Sequence, residues 1–192
     1  MLSHLRPALV MLALFTILTG VAYPLAMTGI AQALIPAAAD GSLITRAGTI
    51  IGSELIAQSF TSDRYFRPRR SAAGEKGYDA AGSSGSNLGP LSKKLIERVE
   101  GDVKTLRQAG ASIIPADAVT TSASGLDPHI SPAFAGLQIG RIAAARKVTE
   151  AQVRAIVESS TERPLLGLFG EPRINVLRLN LALDASLPAG AG

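Results

Sequence analysis

The sequence predicts an α+β protein: one N-terminal transmembrane helix followed by a single extracytoplasmic domain of mixed α+β structure. Three observations carry this. From Pro7 to Ala39 no side chain is charged and Gln32 is the only strongly polar one, whereas Asp40 and then a polar, Gly- and Ser-rich sequence follow. Apolar residues recur at helical spacing in the middle of the remaining chain, with cap residues where helices should start. Short runs rich in β-branched residues and alternating apolar residues stand near both ends of the domain, which suits strands flanking a helical middle.

The apolar run comes first. A hydrocarbon core about 30 Å thick takes about 20 helical residues, so this segment is long enough to cross with tilt. A secretory signal competes, with Arg6 as its basic start and Ala37-Ala38-Ala39 as a small-residue cleavage site. The run is far longer than a signal core, which argues for retention. Residues 1–6 are then a cytoplasmic N-terminus, 7–35 the transmembrane helix, and 36–192 the extracytoplasmic domain. Arg6 before the helix and Asp40 as the first charge after it set that orientation. Pro24 removes a backbone donor inside the run. Thr16, Thr19, Gly20, Thr28 and Gly29 are small enough to let another helix approach. Tyr23 and Pro24 are therefore candidates for partner contact.

In the domain, Leu43-Ile44-Thr45 and Thr49-Ile50-Ile51 flank Arg46-Ala47-Gly48 and read as a hairpin. Residues 55–60 suit a strand or a short helix, the run being too short to decide by period. Thr61 to Gly89 reads as a long loop centred on Gly82-Ser83-Ser84-Gly85-Ser86-Asn87, functional or a flexible linker. Leu91, Leu95, Val99, Val103 and Leu106 lie on one face of a helix over 90–110, with Gly110 placed to end it. Ser131-Pro132 is an N-cap followed by Pro at the first helical position, opening a helix to about Arg146. Thr149-Glu150-Ala151-Gln152 is a capping box for the next helix. Ile174, Val176, Leu177, Leu179, Leu181 and Leu183 suggest a closing strand.

Composition excludes several chemistries. There is no cysteine, so thiol catalysis and Cys-ligated metals are out. All 15 acidic and 18 of the 19 basic residues follow the apolar run, leaving the domain at only +3. Its one basic cluster, Arg64, Arg67, Arg69 and Arg70, is too short for a nucleic-acid stripe. No phosphate loop or dinucleotide fingerprint is present, and no cofactor-binding motif is recognisable. With one histidine in the domain, His129, a zinc site would be poorly supplied. A hydrolase built on Asp127 and His129 lacks a nucleophile elbow, and a local turn at Asp127-Pro128-His129 is the plainer reading. The runner-up to an accessory role is an anchored module that binds a solute or an envelope partner.

Four blocks say more than their physics does. They are Gly52 to Phe60 with Tyr65-Phe66; Gly77-Tyr78-Asp79 with Ser84 to Pro90; Val119 to Pro132 continuing to Gln138, Arg141 and Arg146; and Leu166-Gly167 with Gly170 to Leu183. With the N-terminal span they resemble the C subunit of the Kdp potassium-transporting ATPase, the KdpC family, along nearly the whole chain. One departure is Pro68-Arg69-Arg70-Ser71, where the family usually has Gly-Arg-Pro-Ser. The resemblance implies a non-catalytic subunit of a bacterial inner-membrane complex that imports potassium with high affinity. Its expected partners are the channel-like subunit KdpA, the ATP-hydrolysing P-type subunit KdpB and the small subunit KdpF. ATP, Mg and K+ would be handled by those partners. The family is credited with supporting assembly and raising the ATP affinity of KdpB, an effect that must cross the membrane if the domain lies outside. Candidate partner contacts in the domain are Arg67, Arg69, Ser124, Gly125, Leu126, Asp127 and His129.

Overall fold

A computed structural model describes residues 4–164 and 166–187. The ends of the two terminal segments assigned above, residues 1–3 and 188–192, lie outside the described residues. The chain divides into two compact units, Met1–Ile51 and Gly52–Gly192.

The first unit is dominated by α1, Leu5–Leu34, thirty residues with a mean hydropathy of 2.1 and long enough to span a bilayer. Leu18–Ala22 within it is wound as π-helix, and the Tyr23 N–H donates back to the Leu18 carbonyl. The cause is one residue further on. Pro24 has no N–H to offer Gly20, and its ring crowds that carbonyl, so the preceding turn widens. The Thr19 hydroxyl donates to the Phe15 carbonyl at 2.7 Å, which satisfies it within the helix. Pro36 disfavours helical geometry at Ile35, whose φ is −138°, and α1 stops there. One further turn, α2 (Pro36–Ala39), follows. Then β1 (Leu43–Arg46) and β2 (Thr49–Ser53) pair as the expected hairpin. Its loop residues Ala47 and Gly48 both have positive φ, the signature of a type I′ turn.

In the second unit the helices are α3 (Lys93–Gln108), α4 (Pro132–Arg146), α5 (Glu150–Ser159) and α6 (Val176–Ser186). A two-stranded antiparallel ribbon joins β3 (His129–Ile130) to β4 (Ile174–Asn175), with His129 opposite Asn175 and Ile130 opposite Ile174. Phe66, Ile130, Ile139, Ile142, Val153, Ile174, Val176, Leu179 and Leu183 are almost wholly buried and form one core. Val99, Val103 and Leu106 of α3 pack half-buried against it. Leu91, expected on that face, precedes the helix and is 91% exposed.

The caps read from sequence form as expected. The Ser131 hydroxyl accepts from the Phe134 N–H at 3.0 Å. Thr149 and Gln152 make a full capping box. Two expectations fail. The closing strand over 174–183 is only Ile174–Asn175, after which the chain turns into α6. Asn175 caps that helix by accepting from the Arg178 N–H. The buried side chains Val176, Leu179, Asn180 and Leu183 follow three- and four-residue spacing, and the Leu- and Ala-rich composition favours helix. Residues 55–60 form neither strand nor helix. Their hold on the domain includes a bond from the Ala57 N–H to the Leu126 carbonyl at 2.8 Å.

Candidate functional site

The segment Ser122 to His129 is a hub rather than a mobile loop. Ser122 Oγ accepts from the Asp127 N–H, Ser124 Oγ from the Leu126 N–H, and Asp127 Oδ1 from the His129 N–H. The Gly- and Ser-rich stretch is tied to it: the Ser84 N–H and the Ser83 hydroxyl both donate to the Ser124 carbonyl at 3.0 Å. Of the two readings open for this stretch, a functional loop or a flexible linker, these bonds favour a loop laid along the hub. Gly125 sits at φ +68°, and a Cβ on it would stand 2.5 Å from the Ser84 carbonyl oxygen and 2.7 Å from the Ala73 nitrogen. Only glycine combines that backbone with that approach.

Arg69 crosses to the hub from the aromatic-basic segment. Its guanidinium reaches Asp127 Oδ2 at 3.1 Å and Thr120 Oγ1 at 3.2 Å. His129 Nδ1 lies 3.4 Å from Asp127 Oδ1. Burial pushes the Asp127 carboxyl up, but the bonds from the His129 side chain and backbone, and the Arg69 charge, outweigh it and hold it below its ordinary 3.8. The sign follows. A depressed folded value means the carboxylate stabilises the fold above the ordinary aspartate range and loses that contribution as pH falls through the folded value. Asp127→Asn should therefore be less stable than the parent at neutral pH. The two should converge well below pH 3.8 in pulse proteolysis of the full chain in detergent. A gap that stays constant with pH would contradict this account.

Arg69, Thr120, Asp127 and His129 also line an open groove of about 1170 Å³. Asp117, Arg163, Phe169 and Arg173 line it together with them. Its polar groups are largely committed to each other. Asp117 accepts from both the N–H and the hydroxyl of Ser131, so the serine that lines the groove is held as a helix cap. No group of three or more potential metal ligands exists among the described residues.

The candidate residues thus divide. Arg69, Ser124, Gly125, Leu126, Asp127 and His129 come together at the hub. Arg67 belongs to a different arrangement, with its side chain on Asp63 and the Thr61 carbonyl. Tyr23 and Pro24 lie in the first unit, with Tyr23 61% exposed.

Sequence reasoning gave no role to the clamp around Phe66 and Arg67. The Asn180 side-chain amide accepts from the Phe66 N–H and donates to its carbonyl, at 2.8 and 2.9 Å. Gln138 does the same for Arg67, at 2.9 and 3.1 Å. Two buried amides on α6 and α4 therefore replace a missing β-strand partner. The available signal was a lone amide on each apolar helix face, Gln138 beside Ile139 and Asn180 between leucines.

The family model for the K+-transporting ATPase c chain, KdpC, matches residues 5–185. A protein from Caulobacter sp. strain K31 is 57% identical over 191 residues, covering 98% of this chain and 97% of the relative. Others from Polaromonas naphthalenivorans and Allorhizobium ampelinum are 54% and 53% identical, covering 100% and 97% of this chain and 99% and 98% of theirs. Each of the three carries the name potassium-transporting ATPase KdpC subunit.

Proposed function

The chain belongs to the KdpC family, and on that basis we propose that it is the non-catalytic accessory subunit of a potassium-importing ATPase in a bacterial inner membrane. The observation that carries the reading is the extent of the match. It begins at Leu5, the first residue of α1, and ends at residue 185 in α6, so the apolar helix and the domain are one family unit. The helix is retained as a single span with the N-terminus in the cytoplasm and the domain on the outer side, the orientation favoured by Arg6 and Asp40. Its partners are a channel-like KdpA, a P-type KdpB and a small KdpF, which handle K+, Mg and ATP. The widened turn before Pro24 suits a helix packed on other helices, which can compensate its loosened backbone bonding. An effect on ATP affinity from outside the membrane is a coupling free energy transmitted through those subunits.

Affinity purification of the full chain in detergent should bring two larger membrane proteins with it, and deleting it should abolish high-affinity potassium uptake. A chain that elutes alone, with uptake unaffected by its loss, fits the anchored binding module instead. Alkaline phosphatase fused to the C-terminal end should be active, and a cytoplasm-dependent reporter at the same place should not. The reverse pattern overturns the orientation.

A further inference from the structure

We propose that the exposed apolar residues Leu166, Leu168 and Phe169, with Arg163 near them in the chain, are a docking knob for a partner membrane subunit. The partner surface it fits is apolar at the centre with a carboxylate at its edge. The inference rests on the accessory-subunit reading and names the surface through which that role is exerted.

The segment that carries them has a built stem. The Glu162 N–H donates to the Arg173 carbonyl at 2.8 Å and the Arg173 N–H returns the bond at 3.1 Å. An ion pair between the Arg173 guanidinium and Glu162, at 3.0 Å, spans the same rung. Above it, the Gly167 N–H closes a turn on the Pro164 carbonyl at 3.0 Å. The tip carries Leu166, Leu168 and Phe169, which are 80%, 80% and 65% exposed.

Three large apolar side chains this exposed and this close in the chain do nothing for its fold. They bury little, and one is held at a cost. Leu166 has φ +54°, the left-handed region where a bulky side chain is an outlier. A glycine or asparagine there would satisfy the turn with less strain. An exposed apolar cluster of this kind marks an interaction surface.

Charge decides what kind of surface it meets. Arg163, at the foot of the tip, is exposed and has no carboxylate partner among the described residues, which asks for an acidic group on the other side. A lipid surface is the competing occupant. The adjoining groove, however, carries Asp117, Asp127 and Glu171 against Arg69, Arg163 and Arg173, and so lacks the basic excess that anionic headgroups reward. The tip alone is too small for a stable protein interface. The groove wall beside it, to which Phe169 already belongs, supplies further area and hydrogen-bonding groups.

The test uses the intact complex in native membranes. A benzophenone amino acid replaces Phe169, and in a second strain Leu91, the control position that is 91% exposed elsewhere on the domain. Irradiation should give an adduct between position 169 and a larger membrane subunit, and none from position 91. Phe169→Asp with Leu168→Asp should lower recovery of the partners about thirtyfold, as loss of an apolar hot spot does. Arg163→Glu should weaken recovery less and flatten its dependence on salt. An intact complex with no adduct at 169, or with adducts to lipid only, overturns the proposal while leaving the accessory role standing. Failure of the unmodified chain to recover any partner removes the accessory role itself and this surface with it.

Discussion

Gly125→Ala should destabilise the domain by about 2–5 kcal/mol. The left-handed backbone costs a non-glycine residue about 1–2 kcal/mol, and forcing a methyl into a filled site adds about 1–3. Neither neighbour is a flexible side-chain end. The new Cβ would meet the Ser84 carbonyl oxygen at 2.5 Å and the Ala73 nitrogen at 2.7 Å, both backbone. The loop must shift as a body, dragging the bonds of Ser83 and Ser84 to the Ser124 carbonyl with it. The Arg69–Asp127 pair, anchored on either side, would open in the same movement. In the full chain in detergent the midpoint of thermal protease susceptibility should fall by about 6–15 °C. Gly101→Ala is the control. It lies in α3 with nothing within 4 Å of the added atom, so the gain in helix propensity should leave the midpoint unchanged or raised. Equal behaviour of the two variants would show that the hub does not depend on close approach at Gly125.

The helices that announce themselves by a cap were legible in the sequence, because Ser131 and Thr149 act through bonds to residues three positions away. The hairpin was legible from equally local signals, though not its turn type: Arg46, read as part of the turn, ends β1. The final helix was not. Leucines alternating with Arg178, Asn180 and Ala182 over 177–183 satisfy period two as well as period 3.6, and a remote contact helps decide: the Asn175 amide donates to the Glu54 carbonyl while its oxygen caps α6. At the candidate site, the turn around Asp127 was readable from Asp127-Pro128, and His129 does bond locally to Asp127. The pairing of Arg69 with Asp127 spans 58 residues, and nothing local marks it. The Phe66–Arg67 clamp is hidden in the same way, since an amide inside a helix looks alike whether it faces water or a stripped backbone.

Asp184→Ala should cost about 3–5 kcal/mol, because it strands a buried cation. The Arg146 side chain is 1% exposed, and its Nη2 donates to Asp184 Oδ1 at 2.8 Å. Its remaining hydrogen-bond partners, the Arg64 and Leu187 carbonyls, carry no formal charge, and its guanidinium lies 5.1 Å from the centroid of the Tyr65 ring. Asp184 also accepts from the Tyr65 hydroxyl at 3.0 Å. Burial first, then that bond, raises the Tyr65 phenol above its ordinary 10.0 and keeps it a neutral donor. Removing the carboxylate therefore takes away the acceptor of the Tyr65 hydroxyl as well as the charge partner of Arg146. Asp184→Asn keeps an acceptor and should lose less. The double variant Arg146→Met, Asp184→Leu should recover most of the loss, since apolar residues of similar volume replace a buried pair at little net cost. If the double variant is as unstable as Asp184→Ala, the pair is needed for the bonds Arg146 makes to the backbone of the aromatic segment, and charge is secondary. If it recovers stability but the partners no longer copurify, the pair serves to shape the Tyr65–Arg67 segment for assembly. Stability by pulse proteolysis and partner recovery, measured on the same three variants, separate the two roles.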